Sequence, residues 1–181
     1  MNSVTEEKKR IRKRIKLLKA SLSNEKRIND SLLIFSKVEK DPKFINAKKV
    51  LLYWSMDDEV YTPDFVQKIS SEKDVFLPVI NGDSLVLRRF SSIDNMRTEP
   101  RFGIYEPQGD DYLVWNDIDY AIIPGVAFDI KNNRLGRGKG FYDRILNSIR
   151  AFKVGVCFEF QLFDKIPVEP TDVPMDVVFT S

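Results

Sequence analysis

Short apolar runs of strand length alternate along this chain with segments of helical periodicity. The apolar runs lie at residues 49–54, 75–80, 119–124, 153–158 and 176–180. A strand that is apolar on both faces is typical of a parallel sheet, because crossover helices cover both of its surfaces. The alternation therefore predicts an α/β fold in which a mostly parallel central sheet is flanked by helices.

Chain length and boundary signals refine this prediction. A chain of 181 residues favours one domain, and we expect residues 1–181 to form a single three-layer Rossmann-like domain. Helices are expected over residues 5–21, from Ser23 to Glu39, from Pro63 onward after a Thr62 cap, and from Gly140 to Ile149. Asn81-Gly82-Asp83 predicts a hairpin between strands 75–80 and 84–90. Residues 91–117 are expected to be irregular.

Composition excludes several classes of function. The chain has no histidine and one cysteine, Cys157, so histidine-dependent catalytic groups and internal disulfides are excluded. The net charge of +2 is small for a general nucleic-acid binder, although residues 8–19 are rich in lysine and arginine. No apolar run is long enough to cross a bilayer. We therefore expect a cytoplasmic protein that binds neither nucleic acid nor membrane.

The segment RLGRGKGFYDR, residues 134–144, has the composition of a phosphate-binding loop. Its alternate glycines are Gly136, Gly138 and Gly140, and its cations are Arg134, Arg137 and Lys139. Exposed backbone N–H groups ahead of a helix bind anions, and guanidinium groups fit phosphate. Asp143 would repel a phosphate unless a divalent cation such as Mg²⁺ lay between them. On composition alone, a flexible loop or a patch that binds RNA backbone explains these residues as well as a phosphate-binding loop does.

A longer stretch, PGVAFDIKNNRLGRGKGFYDR at residues 124–144, closely resembles the signature of 5-formyltetrahydrofolate cyclo-ligases, also called methenyltetrahydrofolate synthetases. The segments KKRIRK, YWSMDDEVYT, FGIYEP, VGVCFEFQ and DVPMDVVFT resemble further parts of that family, so the likeness covers nearly the whole chain. Two departures are mild. Phe141 stands where the family usually has tyrosine, and a Lys-Asn-Asn stretch replaces the usual glycine before Arg134.

The resemblance implies an ATP- and Mg²⁺-dependent ring closure. The enzyme would convert 5-formyltetrahydrofolate, with or without a polyglutamate tail, to 5,10-methenyltetrahydrofolate, releasing ADP and phosphate. The formyl oxygen would attack the γ-phosphate, and N10 would close the ring on the resulting imidoyl phosphate. ATP is then a co-substrate, Mg²⁺ the cofactor, and the protein is expected to be a monomer.

The resemblance also implies roles for individual residues. ATP contacts are expected from Lys8, Arg12, Arg134, Leu135, Gly136, Arg137, Gly138, Lys139, Gly140 and Tyr142. Folate contacts are expected from Trp54, Glu59, Arg137, Gly138, Lys139, Gly140 and Phe141. The metal-linked acids are expected to be Asp143 and Asp176, with Asp172 as an alternative to Asp176. The catalytic residues are expected to be Arg134, Lys139 and Asp143.

Alternative interpretations of the same residues stay open. Lys8 and Arg12 share a helix face, and without the resemblance a solvated basic face is the simpler interpretation. The resemblance implies nucleotide contacts for Lys8 and Arg12 only. The other basic residues of this helix are expected to face solvent: Arg10, Lys13, Arg14 and Lys16. A sugar-phosphate enzyme and an RNA-binding module are the alternative functions, which ATP dependence and salt-dependent RNA affinity would discriminate.

Overall fold

The computed structural model describes residues 3–101 and 103–181. Its helices are α1 (Ser3–Ala20), α2 (Asn24–Val38), α3 (Pro42–Asn46), α4 (Pro63–Ile69) and α5 (Phe141–Ser148). Its strands are β1 (Lys49–Leu51), β2 (Asp74–Asn81), β3 (Ser84–Arg89), β4 (Met96–Thr98), β5 (Tyr105–Pro107), β6 (Asp111–Tyr112), β7 (Tyr120–Pro124), β8 (Ala127–Asp129), β9 (Arg134–Leu135), β10 (Phe152–Cys157), β11 (Leu162–Phe163) and β12 (Val177–Thr180). None of the described helices combines the length and the apolar character that crossing a membrane requires.

Seven of these strands form the central sheet, in the order β12–β10–β7–β1–β2–β3–β6. The first five are mutually parallel, and β3 returns antiparallel to β2 through a hairpin whose turn contains Gly82 at φ +61°. The prediction of a mostly parallel central sheet flanked by helices is thus confirmed. The prediction that residues 91–117 are irregular is wrong in part, because three short strands lie there.

Both faces of the sheet are buried, as the continuous apolar runs require. Along β7, Tyr120 and Ile122 belong to the core that packs against α2, α3 and α4, whereas Ala121 and Ile123 belong to the core that packs against α5. All four residues are fully buried. Since successive side chains of a strand point to opposite faces, one apolar run supplies both cores.

Helix α1 covers a second, three-stranded sheet of β11, β8 and β9. Its Ile11 packs on a small cluster of Ala127, Leu135 and Ile166, and Ile15 is 1% exposed. Leu18, three residues after Ile15, is 36% exposed. The position of α1 brings its basic face beside the segment that follows β9.

Thr62 does not cap α4 through its side chain, contrary to the sequence prediction. Its Oγ1 donates to the carbonyl of Tyr53 at 2.6 Å and accepts from the N–H of Ser55 at 2.9 Å. Thr62 is fully buried, so these bonds fix the segment that leaves β1. The residues carried by that segment are therefore held on a rigid support.

The ring of Phe128 fills the space beside two glycines. A Cβ on Gly155 would lie 2.5 Å from Cε1 of this ring, and a Cβ on Gly125 would lie 2.5 Å from its Cζ. Both distances are far below van der Waals contact, so β10 and the end of β7 need glycine for the ring to pack between them.

We expect Gly155→Ala to lower the free energy of unfolding by about 1–3 kcal/mol, the usual cost of overpacking a core. Phe128→Leu would create space for the new methyl group. In a double-mutant cycle measured by urea unfolding, the double variant should therefore lose less than the sum of the two single variants. Additive losses would show that the ring and Gly155 do not constrain each other.

Candidate active site

A cleft of about 320 Å³ lies at the carboxyl-terminal edge of the sheet. It is lined by residues after β1, by the end of β7, by the glycine-rich segment and the start of α5, and by the β2–β3 hairpin. Ligands of open α/β sheets bind at this edge. The cleft brings together most of the predicted site residues: Trp54, Glu59, Arg134, Gly136, Arg137, Gly138, Lys139, Gly140, Phe141, Tyr142 and Asp143.

The glycine loop, residues 136–140, connects β9 to α5. Gly138 and Gly140 have φ values of +98° and +66°, which residues with a side chain rarely adopt. Gly140 is also the residue that precedes the first turn of α5, so the loop presents backbone at a helix N-terminus. This is the local geometry predicted for a phosphate-binding loop.

Arg12 of α1 contacts the glycine loop directly. Its Nε donates to the carbonyl of Gly136 at 2.9 Å, and its guanidinium lies against Gly138, where a Cβ would be 3.5 Å from Cζ. The structure therefore brings Arg12 to the predicted nucleotide loop. Arg10, Lys13, Arg14 and Lys16 are exposed, as the sequence predicted.

Arg134 is a buried cation, with 3% of its side chain exposed. Its Nη2 donates to Asp143 Oδ1 at 2.6 Å, and its Nη1 donates to the carbonyl of Pro124 at 3.3 Å. The guanidinium also lies 5.7 Å from the centre of the Tyr142 ring, and its Nε is buried without a hydrogen-bond partner among the described residues. Arg134 thus fixes the carboxylate of Asp143 at the start of α5.

Glu59 lies on the wall built by the segment after β1. Its Oε2 accepts from the N–H of Met56 at 3.0 Å, and its Oε1 accepts from Nε and Nη2 of Arg137 at 3.3 and 3.0 Å. Arg137 also donates to Asp58 at 2.6 Å. The predicted folate carboxylate is therefore bridged to the glycine loop by an ion pair.

Asp58, the residue before Glu59, is part of this charge network. Burial alone would raise the pKa of its carboxyl, but the nearby Lys19 and Arg137 hold that pKa below its usual value. For Lys19, burial outweighs the neighbouring acids and lowers the pKa of the ammonium group. Asp58 thus carries negative charge at neutral pH. Its ion pair holds the Arg137 guanidinium against the segment that follows β1.

Aromatic side chains complete this wall. Trp54 stacks on Phe90 with ring centres 6.0 Å apart, and Tyr105 lies 6.3 Å from it. Tyr53 and Tyr142 also line the cleft, and burial together with the charge of Glu59 raises the pKa of both phenols. Both hydroxyls are therefore neutral, and the cleft offers aromatic surface for a planar ligand.

At the mouth of the cleft, Lys139 is exposed, whereas Phe141 is half-buried with the Arg144 guanidinium 5.3 Å from its ring centre. Phe141 supplies the ring expected of a substrate contact. Leu135 does not reach the cleft: its side chain is 2% exposed inside the small cluster under α1, and its carbonyl accepts from the N–H of Val126.

Lys8 lies outside the cleft, in a cluster of charges under α1. Its Nζ is paired with Glu169 at 2.7 Å and with Asp172 at 2.6 Å, and the residue is 5% exposed. Burial alone would lower the pKa of Lys8, but the hydrogen bonds that its ammonium group donates to both carboxylates outweigh burial and raise that pKa above its usual value. One turn further along α1, Arg12 contacts the glycine loop.

The structure does not bring Asp143 and Asp176 together. Asp176 precedes β12, and its Oδ2 accepts from the backbone N–H of Lys153 at 2.6 Å, near the amino end of β10. Asp143 lines the cleft beyond the carboxyl end of β7. In a parallel sheet these are opposite edges. The structure therefore does not bring Asp143 and Asp176 together as the two metal-linked acids that the resemblance implied. Asp172, the alternative acid, lies beside Lys8 on the α1 side of the cleft.

Several cleft residues were missed by the sequence prediction. They are mainly apolar residues of the hairpin and of the segment after it, together with one carboxylate: Pro78, Ile80, Leu85, Ile104 and Glu106. Apolar residues of a strand have the same pattern whether they face a core or a ligand. The only sequence signal was the FGIYEP segment, which contains Ile104 and Glu106.

Replacing Lys8 with methionine should lower the free energy of unfolding by about 1–3 kcal/mol. The change leaves two neighbouring carboxylates without their cation, and the partial exposure of Glu169 keeps the cost below that of a fully buried pair. Lys13→Met, an exposed change on the same helix, is the matched control and should stay within about 0.5 kcal/mol. Equal costs in urea unfolding would show that the cluster does not stabilise the fold.

Comparison with known proteins agrees with this geometry. Residues 4–181 match the model of the 5-formyltetrahydrofolate cyclo-ligase family. The chain is 30% identical to the 5-formyltetrahydrofolate cyclo-ligase of Mus musculus over 97% of this chain and 94% of that protein. The NMR structure of 5,10-methenyltetrahydrofolate synthetase from Aquifex aeolicus superposes with a TM-score of 0.86 at 36% identity, over 96% of this chain and 89% of the other.

A second solved structure, the 5,10-methenyltetrahydrofolate synthetase of Mycoplasma pneumoniae, has a TM-score of 0.74 at 26% identity and covers 94% of this chain and 96% of the other. The structural similarity therefore extends over nearly the whole chain. With its family match and these relatives aligned along most of their length, this chain belongs to the 5-formyltetrahydrofolate cyclo-ligase family.

Proposed function

We propose that this protein catalyses the ATP-dependent cyclisation of 5-formyltetrahydrofolate to 5,10-methenyltetrahydrofolate, with release of ADP and phosphate. The observation that carries the proposal is the construction of the cleft. An anion-binding glycine loop and Asp143 form one side, and Glu59 with aromatic side chains forms the other. A nucleotide phosphate and a pterin ring need these two surfaces facing each other.

The chemistry is phosphoryl transfer followed by ring closure. The formyl oxygen attacks the γ-phosphorus and ADP leaves; N10 then bonds to the formyl carbon and the C–O bond to phosphate breaks. Such a transfer needs alignment and charge neutralisation more than covalent help. The loop N–H groups, Arg12, Arg137 and Lys139 supply both, and Glu59 accepts hydrogen bonds from the pterin donors.

Arg134 acts on this site through Asp143 rather than by direct contact with phosphate. Its two terminal nitrogens already donate to Asp143 and to the carbonyl of Pro124. Arg134 is therefore a positioning residue that holds the carboxylate at the cleft. Lys139, an exposed residue of the glycine loop, is the cation that can move onto the phosphates.

Mg²⁺ fits this cleft as the ion that accompanies the nucleotide. Among residues 3–101 and 103–181 there is no group of three or more acidic, histidine or cysteine side chains that could hold a metal. Mg²⁺ commonly uses one or two carboxylates plus phosphate oxygens and water, so Asp143 with the nucleotide suffices. The bound ion neutralises charge on the phosphates. The second metal-linked acid was expected to be Asp176 or Asp172. Asp172 has the stronger support, because its electrostatic interaction with Arg12 indicates that the two residues lie near each other.

The broader organisation follows from the same function. We infer one three-layer Rossmann-like domain over residues 1–181 that acts as a monomer in the cytoplasm. The substrate is accepted with or without a polyglutamate tail. The two-faced core on β7 and a cleft built from elements along most of the chain support the one-domain interpretation.

The activity is tested by absorbance, because methenyltetrahydrofolate absorbs where 5-formyltetrahydrofolate does not. The purified protein should form the product only when ATP and Mg²⁺ are both present. Reactions that lack either one are the controls. Product formation without nucleotide, or none with both, would refute the proposed function.

Asp143→Asn should lower turnover by roughly 10²–10³-fold, the size of losing a preorganised electrostatic contact, and raise the Mg²⁺ concentration needed for half-maximal rate. Asp111→Asn is the matched control, because Asp111 also accepts from an arginine, Arg88 at 2.8 Å, but does not line the cleft. Its Mg²⁺ dependence should be unchanged. If Asp143→Asn lowers only the melting temperature, Asp143 is a structural partner of Arg134 and not a metal contact.

A further inference from the structure

One carboxyl group of the cleft has no part in the interactions described so far. Glu106, in β5, is 7% exposed and lines the cleft beside the β2–β3 hairpin. Its Oε1 accepts a hydrogen bond of 2.7 Å from the backbone N–H of Ile80. Glu59 and Asp143 are each paired with an arginine, whereas no ion pair of Glu106 is present in the described part of the chain.

The surroundings of Glu106 make it a stronger base than an ordinary glutamate. Its neighbours along this wall are the apolar side chains of Pro78, Ile80, Leu85 and Ile104. Burial raises the pKa of Glu106, and the hydrogen bond from Ile80 opposes that effect without cancelling it. The like charge of Glu99 raises the pKa of Glu106 further, and the positive charge of Arg88 lowers it.

The chemistry of folate indicates what this carboxyl group meets. The inference rests on the proposed function. If the pterin donors bind Glu59 and the phosphates bind the glycine loop, the aryl ring of the substrate packs on the apolar wall of the hairpin. N10 is the nitrogen bonded to that aryl ring. A carboxylate set within this wall is therefore beside the nitrogen that closes the new ring.

We propose that Glu106 is a catalytic base that removes the proton from N10 as N10 bonds to the formyl carbon. The N10 lone pair forms the new N–C bond, and the N–H bond breaks to place the proton on a carboxylate oxygen of Glu106. The electron pair left on N5 then expels phosphate as the C–O bond breaks, leaving the cation shared by N5 and N10. Glu106 passes its proton to the released phosphate, so the charges and protons of the overall reaction balance.

The test compares Glu106→Gln with the unaltered protein in the absorbance assay. We expect kcat to fall by about 10²–10⁴-fold, the usual contribution of a general base, while KM for 5-formyltetrahydrofolate changes little. Glu106→Asp, which keeps a carboxylate, should recover part of the lost kcat. The amide of glutamine keeps an acceptor for the Ile80 N–H, so the fold should be retained.

Thermal unfolding separates this role from a structural one. A carboxyl group whose pKa is raised by folding destabilises the folded state above that pKa and has no such effect below its unfolded pKa. Glu106→Gln removes this cost, so its melting temperature at neutral pH should equal or exceed that of the unaltered protein. A slow variant with a lowered melting temperature would make Glu106 a structural residue and overturn the proposal.

The pH profile provides a readout that depends on the charge of Glu106. Because the base must be deprotonated, kcat/KM should rise with pH along an acid limb set by Glu106, and Glu106→Gln should lack this limb. Glu99→Gln removes the neighbouring like charge and should move the limb to lower pH. If Glu106→Gln raises KM for the folate but leaves kcat and the limb unchanged, Glu106 is a binding contact and the proposal is wrong. If the unaltered protein forms no product, the proposed function fails instead.

Discussion

The ion pair between the buried Arg134 and Asp143 fixes the geometry on which the cleft depends. One guanidinium group bonds the carbonyl that ends β7 and the carboxylate that begins α5, and it lies under the ring of Tyr142. The end of β7 and the start of α5 are thereby held at a set separation, beside the glycine loop that leads from β9 into α5. A carboxylate in the first turn also stabilises α5 through the helix dipole. The same side chain therefore supports the helix and faces the site.

A second constraint acts from the other side of the loop. Arg12 donates to the carbonyl of Gly136 and packs against Gly138, so α1 covers the loop and limits its motion. The helix is itself anchored by Ile15 and by the charge cluster of Lys8. Arg12 and Gly136 are 124 residues apart in sequence. Their contact therefore forms only when the fold has brought α1 and the loop together. The site is thus a property of the folded chain and not of one motif.

Local patterns predicted the features whose cause is local. The apolar runs predicted the parallel strands, Asn81-Gly82-Asp83 predicted the hairpin, and the alternate glycines predicted a loop ahead of α5. Glu59 and Asp143, for which the family resemblance implied site roles, line the same cleft. In these cases the spacing of residue types determines the structure within a few positions.

Long-range contacts could not be predicted in the same way. Nothing in the acidic loop distinguishes Asp58, whose pairing with Arg137 arises because two distant loops meet across the cleft. The choice between Asp172 and Asp176 depends on which edge of the sheet each one reaches, and sequence spacing carries no such information. The sequence did not predict Glu106 as a cleft residue, because its segment has no regular pattern. Its burial comes from contacts between β5 and β2.

The ion pair between Arg137 and Glu59 has a thermodynamic consequence for substrate binding. Under the proposed function, folate takes up the carboxylate of Glu59 and nucleotide phosphates attract the guanidinium of Arg137, so each ligand draws one member of the pair away from the other. Whichever ligand binds first then bears the cost of separating the pair, and the second binds to a group already released. Linkage requires each ligand to raise the affinity for the other by the same factor. With these proposed roles, one arginine shared by two walls makes the binding of the two substrates cooperative.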